Sequence, residues 1–125
     1  MSQTFYTKDH EYIRVESDVG VVGVSAYAQK ALGDIVFVAL PQPGASFARG
    51  EETAMVESVK AAADIFAPVS GEVLAVNWAL EKAPGLVTED PEGRGWLFRL
   101  RVKDAQELSS LMDADAYCAW LATLD

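Results

Sequence analysis

Residues 53–76 read TAMVESVKAAADIFAPVSGEVLAV, and they place Lys60 between two stretches with the composition of β-strands. The first stretch is residues 53–59, and the second begins at Asp64 and continues through residues 71–76. This arrangement predicts a hairpin with Lys60 at its tip. A lysine there presents its ammonium to solvent on a firmly held backbone, as a modifying enzyme requires. Most lysines in turns are nevertheless ordinary surface residues, because a charged side chain in water costs little free energy. The residues around Lys60 must therefore decide whether it is modified.

The residues before this hairpin predict further strands and one short helix. Residues 12–15 and 19–24 flank the turn signal Ser17-Asp18 and predict a first hairpin. Ser25 is a suitable N-cap for a short helix, and Gly33 is a suitable end for it. Residues 34–40 then predict a strand, which the segment 41–44, with two prolines and a glycine, brings to an end.

The residues after the hairpin predict one more strand and then helices. Apolar residues alternate with Arg99 and Arg101 across residues 96–102, as in a half-buried strand. Asp104 and Glu107 have the spacing of a capping box. The apolar residues Tyr117, Trp120, Leu121 and Leu124 share one helical face. We expect this face to pack on the chain's own sheet, with partner docking as the alternative, and we expect neighbouring Cys118 to be a packing residue.

Composition limits the classes of function. The chain has 125 residues, half of them hydrophobic, which predicts one domain, residues 1–125, with a β core at about 5–103 and a helical segment at about 104–124. No apolar run is long enough to span a bilayer. The net charge of −9 opposes binding to nucleic acid or to an anionic membrane. The single cysteine cannot form an internal disulfide, and no Cys/His cluster has the spacing of a metal site.

The sequence contains no pattern typical of a catalytic site. His10 is the only histidine, and it has no serine or cysteine partner in a nucleophile motif. The glycines at 93 and 95 flank Arg94 in an acidic segment, where they are typical of a turn rather than of a phosphate-binding loop. These residues therefore give no support to a catalytic function.

Several segments in order give the chain a resemblance to a known family. They are the triplet His10-Glu11-Tyr12, residues 28–29, 32–38 and 40–41, the hairpin residues 56–61, 64–65 and 67–73, and residues 89–91, 95–97 and 111–114. Together they resemble the glycine cleavage system H protein family, and the hairpin resembles its lipoyl-attachment segment. The match covers roughly residues 5–121. Asp9, Tyr12 and Ala63 depart from the residues usual in the family, which bears on how the arm binds and not on the carrier role.

The resemblance implies a fold and a cofactor. The fold would be a mainly β, flattened barrel or sandwich of two antiparallel sheets of the lipoyl-domain type, with a short helix after the first hairpin and helices at the C-terminus. (R)-Lipoate would be covalently attached at Lys60. The chain would be a non-catalytic carrier whose cofactor supplies the chemistry.

The resemblance also implies roles for individual residues. Glu57 and Gly71 would serve lipoylation, Glu57 as a recognition point and Gly71 at the hairpin base, where a positive φ would explain the glycine. Glu11, Asp64 and His10 would bind the loaded arm in a surface cleft. A carboxylate suits this task because the nitrogen of an aminomethyl group is cationic near neutral pH. Simple surface solubility is the alternative for each acidic residue.

The implied partners are the enzymes of glycine cleavage. The chain would carry an aminomethyl group from the PLP-dependent glycine decarboxylase to the tetrahydrofolate-dependent aminomethyltransferase, and then electrons to dihydrolipoamide dehydrogenase. A lipoylating enzyme would be the fourth partner. We expect a monomer in the bacterial cytoplasm, with a mature organellar protein as the alternative.

Three other functions stay open at this point. An H-like protein could act mainly as lipoyl acceptor and donor in lipoate assembly. A biotin-carrying domain is disfavoured, because Val59 and Ala61 stand where methionines usually flank the biotinylated lysine. An interaction module with an unmodified lysine is the last alternative.

Overall fold

The computed structural model describes residues 2–124 as two antiparallel β-sheets with short helices. The strands are β1 Gln3–Tyr6, β2 Glu11–Glu16, β3 Val19–Val24, β4 Ile35–Ala39, β5 Ser46–Phe47, β6 Glu52–Ser58, β7 Ala62–Phe66, β8 Gly71–Val76, β9 Phe98–Val102 and β10 Met112–Asp113. The helices are α1 Ala26–Leu32, α2 Ala79–Lys82, α3 Gly85–Glu89 and α4 Ala114–Leu121, with a 3-10 helix at Ala105–Ser110.

The larger sheet has seven strands in the order β10-β1-β2-β3-β9-β8-β5, and the smaller has three in the order β4-β6-β7. Both sheets are open, so the structure is a sandwich rather than a closed barrel. This confirms the predicted mainly β fold of two antiparallel sheets. The predicted Lys60 hairpin is β6–β7, the second pair in the smaller sheet.

A shared hydrophobic core joins the two sheets. The larger sheet contributes Ile13, Val22, Val73, Phe98 and Leu100, and the smaller contributes Ile35, Val38, Val56 and Ile65. Inward and outward residues alternate along β9 and β6, as expected for strands with one buried face. The core therefore fixes which face of each strand is left for function.

The local signals before Lys60 are confirmed. Residues of β2 and β3 pair antiparallel around the turn at Ser17, which has a positive φ of 59°. The Ser25 side chain accepts a hydrogen bond from the Ala28 N–H at the start of α1. Gly33 ends that helix with a φ of 83°, in the left-handed region that favours glycine.

The C-terminal segment packs against the sheet, and Tyr117 of α4 joins Tyr6 and Tyr12 in a buried aromatic cluster. The expectation that this face packs on the chain's own sheet is confirmed for Tyr117, whereas Leu124 lies beyond the helix and is exposed. Cys118 is exposed, so its prediction as a packing residue is wrong. It lies one residue from Tyr117, about 100° around the helix and away from the buried face.

The predicted capping box is also wrong in its second half. The Asp104 side chain accepts a hydrogen bond from the Gln106 N–H, as an N-cap does. Glu107 does not return to Asp104, because its carboxylate accepts hydrogen bonds from the backbone N–H and the hydroxyl of Ser70. Glu107 therefore ties the 3-10 helix to the start of β8.

Within residues 2–124, no helix is both long and apolar enough to cross a membrane.

Candidate functional site

Lys60 lies at the tip of the β6–β7 hairpin, between Ser58 and Ala62, and its side chain is exposed. Neither of the two ion pairs found in the described part of the chain involves this lysine. The structure thus places Lys60 where the sequence predicted it, with its ammonium open to solvent.

Ser58 fixes the backbone of this tip. Its hydroxyl accepts hydrogen bonds from the N–H groups of Lys60 at 3.2 Å and Ala61 at 3.0 Å, and it lies 3.0 Å from the Ala61 carbonyl, to which it donates. The Ser58 N–H donates to the same carbonyl at 2.7 Å. A buried serine therefore ties the hairpin tip into one conformation, although it was given no role from the sequence.

A neighbouring loop supports the tip from the side. The Val59 N–H donates to the Asp34 carbonyl at 3.1 Å, which joins the hairpin to the segment between α1 and β4. The Lys60 side chain runs past Gly33, where an added Cβ would lie 3.8 Å from the lysine Cε. The hairpin therefore presents the lysine from a supported backbone rather than from a free loop.

The outer face of β7 leads from the tip to a cleft. Ala62, Asp64 and Phe66 alternate with the inward-facing residues of this strand, and Ala62 and Asp64 are exposed. At about 3.3 Å per residue, Ala62 and Phe66 are about 13 Å apart along the strand. Phe66 lines a cleft of about 280 Å³ at the far end. The other residues in its wall are Thr7, Asp9, Glu11, Arg49, Gly50, Ala67, Pro68, Ser110 and Leu111.

Glu11 is the buried acid of this cleft, with only 1% of its surface exposed. The Thr7 hydroxyl donates to one carboxylate oxygen, Oε1, at 2.7 Å. The Phe66 N–H donates to the other, Oε2, at 3.0 Å. Each carboxylate oxygen can accept a second hydrogen bond. Glu11 therefore joins the two sheets, and its carboxylate has capacity for further hydrogen bonds.

Burial raises the pKa of Glu11 to about 7, because removal from water penalises the carboxylate. The hydrogen bonds from Phe66 and Thr7 act in the opposite direction, and the negative charge of Asp9 adds to the rise. The pKa of Glu11 therefore lies near neutral pH, where small changes in its surroundings alter its charge.

His10 turns away from this cleft into an aromatic cluster. Its ring lies 4.7 Å from the ring of Tyr27 and 5.3 Å from that of Trp120, between centroids. Its Nδ1 is hydrogen-bonded to the Tyr117 hydroxyl at 2.7 Å. Burial lowers the pKa of His10. The backbone of His10 has a φ of 68°, in the left-handed region, and its N–H donates to the Thr7 carbonyl at 3.1 Å.

The two residues predicted to serve lipoylation lie at different distances from the tip. Glu57 is exposed on β6 and pairs with Ala62, next to the turn. Gly71 begins β8, and a Cβ there would lie 2.6 Å from the carbonyl oxygen of Arg101 on the neighbouring strand. Gly71 does not have the positive φ that would have explained this glycine, and the close approach of two backbones explains it instead. Gly50 is the glycine near the hairpin that has a positive φ, at 89°.

The structure brings Glu11 to one end of the β7 face, with Asp64 between it and Lys60, whereas His10 contacts the C-terminal helix. Thr7 and the Phe66 N–H were missed from the sequence. A threonine followed by a turn is a recognised local signal, but the Phe66 contact spans 55 residues and has none. In the described part of the chain, no cluster of His, Cys, Asp and Glu could hold a metal ion.

Comparisons with known proteins agree on one family. The family model described as "Glycine cleavage H-protein" matches residues 4–123. A glycine cleavage system H protein of Beijerinckia indica is 58% identical over 124 residues, covering 99% of this chain and 100% of that protein. One from Thermus thermophilus is 54% identical over 113 residues, covering 90% of this chain and 88% of that protein.

A solved structure supports the same relationship. The crystal structure of a glycine cleavage system H protein from Mycobacterium marinum superposes with a TM-score of 0.88 at 34% identity, covering 96% of this chain and 97% of that chain. Sequence and fold agree along almost the full length. The chain belongs to the glycine cleavage H-protein family.

Proposed function

We propose that this chain is the lipoyl-carrying shuttle protein of a glycine cleavage system, with (R)-lipoate joined to the Lys60 Nζ by an amide bond. The position of Lys60 at the tip of a hairpin fixed by Ser58 carries the proposal. Forming the amide from an activated lipoyl donor would neutralise an ammonium that takes part in neither ion pair of the described residues. The residues present therefore fit the group, which supplies a redox-active dithiolane when bound.

In this role the chain is a non-catalytic carrier. It would receive the aminomethyl group at the PLP-dependent glycine decarboxylase, deliver it to the tetrahydrofolate-dependent aminomethyltransferase, and then pass electrons to dihydrolipoamide dehydrogenase. A tether raises the effective concentration of the cargo at each active site. The net charge of −9 supports docking on basic surfaces of these enzymes.

Glu57 is proposed as a recognition point for the lipoylating enzyme. Its carboxylate is exposed beside the turn, where an enzyme that binds Lys60 can also reach it. Glu57→Ala should slow lipoylation and leave the fold intact, because this side chain has no buried contacts to lose. Glu52→Ala, at the other end of the same strand, is the matched control. Equal lipoylation rates for parent and Glu57→Ala would return Glu57 to a solubility role.

Glu11 and Asp64 are proposed to hold and protect the cargo, and His10 to support that end of the cleft through its backbone. The outer face of β7 runs from Lys60 past Asp64 to the cleft at Glu11. A carboxylate there can accept a hydrogen bond from a cationic nitrogen. Apolar residues of the wall, such as Leu111 and Pro68, would reduce the access of water to a labile cargo.

The remaining parts of the proposal concern organisation. We propose one carrier domain, residues 1–125, that acts as a monomer in the bacterial cytoplasm. Two observations support including the segment 104–124 in this domain: β10 pairs with β1, and the Glu107 carboxylate accepts a hydrogen bond from the Ser70 N–H.

Lipoylation of Lys60 is tested by intact mass and peptide mapping after co-expression with a lipoylating enzyme. The parent and Lys103→Arg should gain one lipoyl group at Lys60, whereas Lys60→Arg should gain none. Lys103 is the matched control because it is also an exposed lysine. A lipoyl adduct on Lys60→Arg would refute the attachment site, and a biotinyl adduct or no adduct on the parent would refute the carrier proposal.

The shuttle role itself is tested with the three purified partner enzymes. The lipoylated parent should support glycine-dependent NADH formation, and Lys60→Arg should not. If the parent accepts and donates lipoyl groups but fails in this assay, a role in lipoate assembly replaces the shuttle role.

A further inference from the structure

We propose that Thr7 is a positioning residue of the cleft, whose hydroxyl fixes the Glu11 carboxylate and favours its charged form for a cationic cargo. This inference rests on the proposed function, because it assigns Thr7 a task only if Glu11 binds the cargo. Thr7 lies in the cleft wall and is half-buried.

Thr7 holds the turn that carries Glu11 at both its backbone and its side chain. The Thr7 N–H donates to the Glu11 carbonyl at 2.9 Å, and the His10 N–H donates to the Thr7 carbonyl at 3.1 Å. The Thr7 hydroxyl accepts from the N–H groups of Asp9 at 3.1 Å and Glu11 at 3.2 Å. The same hydroxyl donates to Glu11 Oε1 at 2.7 Å.

This arrangement leaves the Thr7 hydroxyl only one direction in which to donate a hydrogen bond. A threonine hydroxyl has one hydrogen and two lone pairs. The two backbone N–H groups occupy the acceptor side, so the hydrogen is left for Glu11. A donor fixed in this way stabilises a carboxylate more than a carboxylic acid, because its hydrogen bond is stronger to the charged form.

The Phe66 N–H, which can only donate, makes a hydrogen bond to the second carboxylate oxygen of Glu11 and also favours the charged form. Two donors, one from the turn between β1 and β2 and one from β7, therefore oppose the burial that favours protonation of Glu11. Of these two, only the Thr7 donor is a side chain and can be removed by substitution. Valine has nearly the same shape as threonine and lacks the hydroxyl.

Other charged groups near Glu11 must be separated from this effect. Asp9, on the same turn, raises the pKa of Glu11. Arg49 lines the cleft from the segment between β5 and β6, Asp64 lies two residues before Phe66 on β7, and His10 lies beside Glu11 in the chain. Thr7→Val changes none of these charges, so a change in Glu11 titration reports on loss of the hydroxyl and of the three hydrogen bonds that it makes.

The first test uses the full chain without lipoate. The Phe66 amide shift, followed by NMR across pH, should report titration of Glu11 with a midpoint at about 7 in the parent. Thr7→Val should raise the midpoint by about one pH unit, the loss expected for one hydrogen bond to a charged group. Thr7→Ser should restore the parent value. Thr123→Val, which removes a hydroxyl bonded to the Trp120 carbonyl, should leave the midpoint unchanged.

The second test uses lipoylated, aminomethyl-loaded protein without the transferase. At pH 7.5 a one-unit rise from 7 lowers the charged fraction of Glu11 about threefold. Thr7→Val should therefore release formaldehyde up to about threefold faster than the parent, and Thr7→Ser should not. Thr7→Ala replaces Thr7→Val in both tests if the valine variant does not fold.

The outcomes separate the inference from the function on which it rests. An unchanged midpoint in Thr7→Val, or one that Thr7→Ser does not restore, overturns the positioning role. If Glu11→Gln releases cargo faster while Thr7→Val does not, only the inference fails. If Glu11→Gln holds its cargo as the parent does, the docking role of Glu11 fails and the inference fails with it.

Discussion

Glu11→Gln should remove a pH dependence from the free energy of unfolding. In the folded chain the pKa of Glu11 is raised to about 7 from its ordinary value of 4.5, chiefly by burial. The folded state therefore keeps a proton that the unfolded state has already released between these two values. It follows that the stabilising effect of this proton is complete below pH 4.5 and is lost as pH rises to about 7.

The size of the effect follows from the same numbers. The interval from 4.5 to about 7 corresponds to about 3 kcal/mol at about 1.4 kcal/mol per pH unit. For a domain of this size such a change is a large part of the total stability, which is typically 5–15 kcal/mol. It should be well above the error of a denaturation series.

The assay is urea unfolding of parent and Glu11→Gln at closely spaced pH values from 4.5 to 8.5. Glutamine keeps the size of the side chain but cannot titrate, so the difference between the two curves isolates Glu11. Contributions common to both proteins cancel, including that of His10, whose pKa is lowered. A glutamine leaves one donor poorly matched at every pH, which shifts the difference by a constant and does not change its slope.

The parent should lose about 3 kcal/mol relative to Glu11→Gln as the pH rises through this range. A difference that stays level would show that Glu11 has the same proton affinity in the folded and unfolded chains. That result would refute the link between its burial and its titration near neutral pH. If the parent instead gains stability relative to Glu11→Gln as the pH rises, the hydrogen bonds from Thr7 and Phe66 lower the pKa of Glu11 more than burial raises it.

Three further perturbations test other features. Gly71→Ala should destabilise the chain by about 1–3 kcal/mol in urea unfolding, because the added Cβ would lie 2.6 Å from a backbone carbonyl oxygen. Gly85→Ala is the control and should cost little, because the space around Gly85 is open. Equal stabilities of the two variants would refute the close-approach argument. Asp9→Asn should lower the pH midpoint of Glu11 titration measured by NMR, since removal of a nearby negative charge favours the charged carboxylate. A higher midpoint would contradict this expectation. Tyr117→Phe should cost about 1–3 kcal/mol of stability in thermal unfolding, because buried Ser25 and the ring of His10 each lose their hydrogen bond to the Tyr117 hydroxyl. An unchanged melting temperature would show that these two hydrogen bonds contribute little.

The parts of the fold that could be predicted are those with local signals. The Ser25 cap and Gly33 end of α1, and the turn around Ser17, each lie within a few residues of the structure that they determine. The tip at Lys60 belongs to the same class, since both of its strands adjoin the turn. Strand β1 could not be predicted, because its four residues gain stability only by pairing with β2 and with β10, which lies over 100 residues away.

The candidate site divides in the same way. The position of Lys60 at a hairpin tip was predictable because both strands adjoin it, whereas the proposed roles of Glu57, Glu11 and Asp64 came from a resemblance to a family. The burial of Glu11 and its contact with Phe66 depend on how the two sheets meet, which no local pattern records. Cys118 is different, since the periodicity that places Tyr117 inward also places its neighbour outward, and the sequence contained the information to exclude it.

The two ends of the larger sheet bear on how the protein behaves at high concentration. Both end strands, β5 and β10, have only two residues, so each exposes very few unpaired backbone groups. In the smaller sheet, β4 is flanked by α2 and α3, and β7 carries the charge of Asp64. Long, flat, uncharged edges are what allow sheets of separate molecules to join into aggregates. The chain thus offers little edge for joining a copy of itself, and lengthening β5 or β10 by design should favour fibre growth.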